Sequence, residues 1–185
     1  MASENTFANP APLGFFGFGA TTILLSLHNA GIVDLSTVIL AAAVCLGGFA
    51  QIIAGIFEMK FKNTFGATVF ISFGFLWLSF AMIWLLPGIG NIQPGDPISM
   101  GVLLFIFGCF TSLMFISSLK HTKILQILFI LVSILFFLLA IADITGITIL
   151  KIIGGYVGIL LGIASIYGCV GQIINNDWEK DIFKL

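Results

Sequence analysis

Polar and charged residues gather in short clusters along this chain, and between them lie six long apolar runs, at 13–29, 35–57, 65–86, 98–119, 124–142 and 149–174. A helix needs about 20 residues to cross the hydrocarbon core of a bilayer, and each run is close to that length or longer. Within the runs, small and polar residues recur every three or four positions, which is helical spacing. The pattern predicts an all-α integral membrane protein of six transmembrane helices. It divides the chain into an amino-terminal segment at 1–12, a transmembrane domain at 13–174 and a tail at 175–185. The first run is the shortest and gains reach from the Asn-Pro-Ala-Pro turn ahead of it.

Composition strengthens this picture. Hydrophobic residues make up 59% of the chain and charged residues 8%, against about 25% charged in ordinary soluble domains. A soluble fold of this size could not cover so much apolar surface. The charges sit mostly between the runs. Lys60, Lys62, Lys120, Lys123, Lys180 and Lys184 share one side if the six helices alternate, and only Lys151 falls on the other. Lysine-rich loops stay in the cytoplasm, so both termini are expected to be cytoplasmic, in a multi-pass plasma-membrane protein. Asp34, Asp96 and Asp143 then mark the outer loops, and the Gly/Pro-rich stretch at 87–97 is the longest outer connection. The first twelve residues have no basic cluster and the first run no convincing cleavage site, so the first helix is expected to remain in the mature protein.

Several function classes drop out. A net charge of −1 offers no basic surface for nucleic acid. No nucleophile, base and orienting group appear at a recognised spacing, and no phosphate-cradling loop does, so the chain does not read as an enzyme and no cofactor is called for. Cys45, Cys109 and Cys169 lie singly inside the runs and read as small packing residues; no metal site is expected.

Function must then reside on the helix faces that carry polar or small residues. On the sixth helix Gly154, Gly158, Gly162, Ser165, Cys169 and Gln172 form one stripe. Its glycines suit close packing between helices, and Ser165 and Gln172 also suit a pore. The second helix carries Gly47, Gly48, Gln51, Gly55 and Glu58. Gln51 is either a helix-to-helix hydrogen bond or a solute contact. Glu58 is either a solvated interfacial group or a proton acceptor at a pore mouth. On the first helix Gly14, Phe18, Thr21, Leu25 and His28 share a face, with Thr21 able to bond its own backbone and His28 able to titrate near neutrality. Thr68, Ser72, Phe75 and Ser79 share a face on the third helix, and Gln126 and Ser133 lie on the fifth. His121, in a short basic loop, reads as having no transport role. No Asp, Glu, Lys or Arg falls near the middle of any run, whereas tightly coupled symporters usually place ionisable groups there.

One short motif stands out. Asn9-Pro10-Ala11-Pro12-Leu13-Gly14 precedes the first long run. Proline is tolerated in the first turn because the donor it lacks would be unpaired there, and Asn is a good cap. The amides of Ala11, Leu13 and Gly14 are expected to be free at the positive end of the helix dipole, where an anion is attracted. Further along come His28-Asn29-Ala30-Gly31, Gly47-Gly48-Phe49-Ala50-Gln51, and Glu58 with Lys60 and Asn63-Thr64-Phe65-Gly66. Together these motifs resemble the acetate uptake transporter family, whose bacterial members include succinate–acetate permeases. Phe15 departs conservatively from the Leu usual after the first motif.

The resemblance implies passage of acetate, and of related short carboxylates such as succinate, by an anion channel or proton-linked permease. It implies a homohexamer with a separate path through each protomer. Asn9, Ala11, Leu13, Gly14, Thr21, Gln51, Ser72 and Ser165 are the candidate binding or pore-lining residues, and Glu58 and His28 the candidates for proton coupling. An apolar constriction is implied at Phe18, Phe73 and Val132, where better-known members carry tyrosine at the second position and leucine at the third. The rival readings are a channel for ammonia, ammonium or another small solute, and a non-transporting membrane sensor or scaffold. The topology yields a direct test. Cysteines introduced at Asp96 and at Lys184 should label from opposite faces of sealed cells, the first from outside; labelling of both from outside would overturn it.

Overall fold

The computed structural model describes residues 8–185, so most of the 1–12 segment lies outside the described residues. Among the described residues, six helices are long and apolar enough to cross a membrane: α1 Ala11–Asn29, α2 Thr37–Lys60, α3 Thr64–Leu85, α4 Pro97–Ser118, α5 Lys123–Thr145 and α6 Thr148–Asp177. Each matches one predicted apolar run to within three residues at either end. In lipid the backbone has no water to bond, and a continuous helix satisfies it internally.

The helix ends follow local chemistry. Asn63 caps α3 by accepting from the Gly66 amide at 3.1 Å, and Asp96 caps α4 by accepting from the Ser99 amide at 2.8 Å. Gly146 ends α5 at φ +73°, a left-handed conformation that glycine adopts freely, and only Ile147 separates it from α6. Asp143 falls in the last turn of α5 and not in a loop. In the middle of α2, Ala43–Ala50 winds as a π-helix. Beyond α6, the tail turns back: the Asn175 side chain accepts from the Phe183 amide and donates to the Phe183 carbonyl, both at 2.8 Å.

The six helices form a ring. α1 packs against α6 and α2, α2 against α3, and α5 against both α4 and α6. α3 and α4 meet through Phe73 and Phe107, with ring centroids 6.0 Å apart. Glycines set the close approaches. A side chain at Gly158 would strike Ser26 of α1, and one at Gly162 would come within 2.5 Å of Ile23 and 2.7 Å of the Gly19 carbonyl. The sixth-helix stripe is thus a packing face within one protomer, toward α1 at Gly158 and Gly162 and toward α5 at Gly154, where a side chain would come within 3.0 Å of Leu139. The Ser165 hydroxyl, fully buried, donates to the Phe15 carbonyl at 2.8 Å and belongs to the contact with α1.

Three expectations about side-chain direction need correction. Cys169 is buried, but Cys45 and Cys109 are exposed on the surface of this chain and do not pack inside it. The inward face of α3 is the aromatic series Phe70, Phe73, Trp77 and Phe80, whereas Thr68, Phe75 and Ser79 are exposed. Ser79 satisfies itself by donating to the Phe75 carbonyl at 2.8 Å, so a hydroxyl stripe there needs no polar partner. On α1 the inward face includes Phe18 and Thr22, one residue on from the expected Thr21. Thr21 instead donates sideways to the Ala42 carbonyl of α2 at 3.2 Å.

The α1–α6 contact generates a prediction. Gly158→Leu should lower thermal stability by about 1–3 kcal/mol or abolish folding, because no space exists for the side chain. A normally folded variant with an unchanged melting temperature would show that this face tolerates bulk.

Candidate pathway and its constriction

Two cavities enter the ring from opposite ends. The distal cavity, of about 450 Å³, opens at the end bearing the 86–97 connection. The proximal cavity, of about 240 Å³, opens at the end holding the start of α1 and the tail. Among the described residues, Phe18, Phe73 and Val132 belong to the walls of both, and no other does. The three arise from α1, α3 and α5. Phe73 is the centre of this layer. Its ring meets Phe18 edge-on at 5.2 Å and 84°, and lies 5.9 Å from Phe136 at 29°. Edge-to-face and offset arrangements are favoured by the ring quadrupole. Phe73 and Val132 are buried, and Phe18 is partly buried.

Such a layer opposes an ion. A carboxylate entering it sheds hydration and meets neither a countercharge nor a hydrogen-bond donor on these three side chains. A methyl group meets a compatible wall. The layer therefore discriminates by hydration and cross-section.

The proximal cavity has polar side chains in its wall beside apolar ones. Ala11, Gln51, Glu58, Asn63, His121 and Gln172 all contribute to it. Glu58 is 3% exposed and accepts from the Asn63 side chain at 2.7 Å, so it is not a solvated surface group. Gln51 is also buried and donates to the Gly47 carbonyl at 2.8 Å. Its side-chain carbonyl remains for another partner. His121 stacks on Phe65, 4.6 Å between ring centroids, and thereby joins the wall. A short loop next to a helix start holds too little periodicity to reveal that placement from sequence.

At the start of α1 the expected free amides are all taken. The Ala11 amide donates to the Asn9 side chain at 3.0 Å, and those of Leu13 and Gly14 donate to the Pro10 carbonyl at 3.2 and 3.4 Å. Pro10 already has helical dihedrals, φ −81° and ψ −17°, so its carbonyl is positioned to accept one turn early. Leu13 is 44% exposed on the outer surface, and Gly14 is buried against Phe70; neither borders a cavity. Asn9 also donates to Gln172 at 3.1 Å, tying the start of α1 to α6 beside the proximal mouth.

Thr21, Ser72 and Ser165 lie outside the walls of both cavities, and as lining residues they are corrected. Thr21 and Ser165 are consumed by contacts between helices, and Ser72 lies beside the outward face of α3. His28 borders the distal cavity, where one ring nitrogen lies 3.1 Å from the Val33 carbonyl. Asp143 and Lys151, opposite in charge, border the same cavity and were not singled out as site residues. Their positions near the ends of α5 and α6 gave the only signal. Among the described residues no cluster of side chains suited to holding a metal occurs.

These features have close parallels in known proteins. The model of the GPR1/FUN34/yaaH family matches residues 1–180. The succinate-acetate/proton symporter SatP of Escherichia coli (strain K12) is 42% identical over 178 residues, which span 96% of this chain and 95% of that protein. Ammonia transport outward protein 2 of Saccharomyces cerevisiae is 35% identical over 182 residues, 93% of this chain and 64% of that protein. A solved structure described as the bacterial acetate channel SatP superposes with a TM-score of 0.95 at 42% identity, covering 96% of this chain and 98% of its own.

The first turn of α1 is open to test through Asn9. Asn9→Ala removes both the acceptor for the Ala11 amide and the donor to Gln172, and should cost about 1 kcal/mol of stability. Asn9→Asp keeps the acceptor and should lose less. Equal melting temperatures for the wild type and Asn9→Ala in detergent would show that these bonds contribute nothing.

Proposed function

Because the chain belongs to the GPR1/FUN34/yaaH family, we propose that it carries acetate, and other short carboxylates such as succinate, through a pathway within each protomer. It is a multi-pass plasma-membrane protein and not an enzyme, as its transporter relatives and six apolar helices indicate. The observation that supports the reading best is the layer of Phe18, Phe73 and Val132 between two cavities on one axis. The solute passes from one cavity to the other through that layer. We take the proximal cavity as cytoplasmic, from the lysine distribution, residues 13–174 as the transport unit and 175–185 as a cytoplasmic tail. The protomers assemble as a homohexamer in the membrane.

Within this reading Gln51 and Ala11 line the cytoplasmic cavity, with Asn9 at its mouth. Glu58 is the candidate for proton coupling on that side and His28 on the other. Both stand away from the apolar layer, so protonation at either changes the charge of a vestibule and not of the constriction. That arrangement fits weak binding and fast passage, in a channel or a loosely proton-linked permease.

A second reading rests on the yeast relative named for ammonia transport. Neutral ammonia would pass an apolar layer without the hydration penalty of an anion. Labelled acetate flux into proteoliposomes, with ammonium present as a competitor, distinguishes the two. We expect acetate flux well above that of empty vesicles and undiminished by ammonium; no flux above empty vesicles would sink the acetate reading.

The constriction yields a sharper outcome. Phe18→Ala should raise flux or admit larger carboxylates per folded protein. Truncating a packed Phe costs about 3–5 kcal/mol, so melting temperature is measured in parallel. A variant that melts much earlier with no change in rate or solute size would mark Phe18 as core.

A further inference from the structure

Several hydroxyls of this bundle return a hydrogen bond to their own helix. Thr111 donates to the Phe107 carbonyl at 2.9 Å, Ser112 to Gly108 at 2.8 Å, Ser133 to Phe129 at 2.8 Å and Thr145 to Ile141 at 2.6 Å. Thr22 does not. Its Oγ1 and the Nε1 of Trp77 are the two buried side-chain polar atoms among the described residues with no hydrogen-bond partner. Thr22 is 3% exposed and Trp77 5%.

Their placement is specific. Thr22 lies four residues after Phe18 on α1, and Trp77 four residues after Phe73 on α3. Four residues of helix advance about 6 Å on the same face. Two of the three constriction residues are therefore each followed, one turn farther toward the distal end, by a residue that carries a donor, and both Thr22 and Trp77 line the distal cavity. The corresponding residue above Val132 is Phe136, which keeps the third side apolar.

We propose that Thr22 Oγ1 and Trp77 Nε1 are the paired donors that receive a monocarboxylate as it crosses the apolar layer. The inference rests on the acetate reading above. Both atoms are shut off in the packed arrangement, so they become available when Phe18 and Phe73 part. A carboxylate leaving the layer then gains two hydrogen bonds at the level where its hydration has not yet returned, and hydrogen bonds to an ionised acceptor are the strong ones. The indole N–H can only donate. It pairs with a carboxylate and has nothing to offer ammonium, whose hydrogens also only donate. Trp77 is held in position by α2, since its ring lies where a side chain on Gly47 would be, within 2.5 Å.

The test follows the indole proton itself. The chain has three tryptophans, Trp77, Trp84 and Trp178, so Trp84→Phe and Trp178→Phe assign the Trp77 signal by elimination in a nitrogen-labelled sample in detergent. Acetate should move the Trp77 indole resonance saturably, and chloride at equal concentration should not. Thr22→Val preserves shape and removes the donor; it should raise the KM for acetate about tenfold, equivalent to 1.4 kcal/mol, at an unchanged melting temperature. An indole signal that acetate leaves in place, or that chloride moves equally, overturns the proposal even when acetate flux is normal. So does a folded Thr22→Val protein with wild-type KM. Absence of flux with a saturable indole shift would instead remove the transport reading and leave the carboxylate site standing.

Discussion

The contact between α1 and α6 fixes the rotation of α1, and the pathway depends on that rotation. Gly19 and Gly162 allow the two backbones to approach, Gly158 makes room for Ser26, and the Ser165 hydroxyl reaches across to the Phe15 carbonyl. Lipid offers little hydrophobic drive for two apolar helices to associate, so close packing and such hydrogen bonds carry the association. With α1 held this way, Phe18 and Thr22 face the axis, and Thr21 faces α2. A twist of one residue would exchange them and leave the constriction without its first member. The glycines of α6 thus set the composition of a wall they do not belong to.

The six spans were legible because hydrocarbon thickness imposes a length that composition cannot disguise. The glycine stripe on α6 was legible for a related reason: small residues at helical spacing have few other uses in a membrane. Direction within a helix was harder to read. A hydroxyl can bond its own helix, its neighbour or a solute, and sequence periodicity does not separate these fates. Ser79, Thr21 and Thr22 take three different courses within the same kind of apolar setting. Phe18, Phe73 and Val132 were assembled by resemblance, since twenty phenylalanines give no single one any weight. The first-turn amides misled because a dipole argument counts donors without asking which nearby carbonyl is already bent to receive them; Pro10 and Asn9 supply those acceptors.

Charge is arranged around the apolar layer. Glu58 lies on one side of it and His28, Asp143 and Lys151 on the other, all in cavity walls. Each vestibule can thereby gather or repel ions without burdening the narrow zone with a fixed charge, which would trap a counter-ion or bar a like one. Selection by hydration at the centre and by charge at the mouths are then separable properties. Different relatives can adjust one without the other.

The π-helix at Ala43–Ala50 adds a consequence for how this chain can change length. A π turn bonds each residue to the fifth along instead of the fourth, so the segment holds backbone that a regular α-helix over the same span would not. Deleting one residue there can close the winding to a regular α-helix and leave Gln51 and Glu58 in the proximal cavity wall, whereas a deletion in a regular turn of α2 would rotate everything beyond it by about 100°. The π-helical stretch is therefore a place in α2 where a residue can be gained or lost without turning the two buried polar side chains, Gln51 and Glu58, away from the axis.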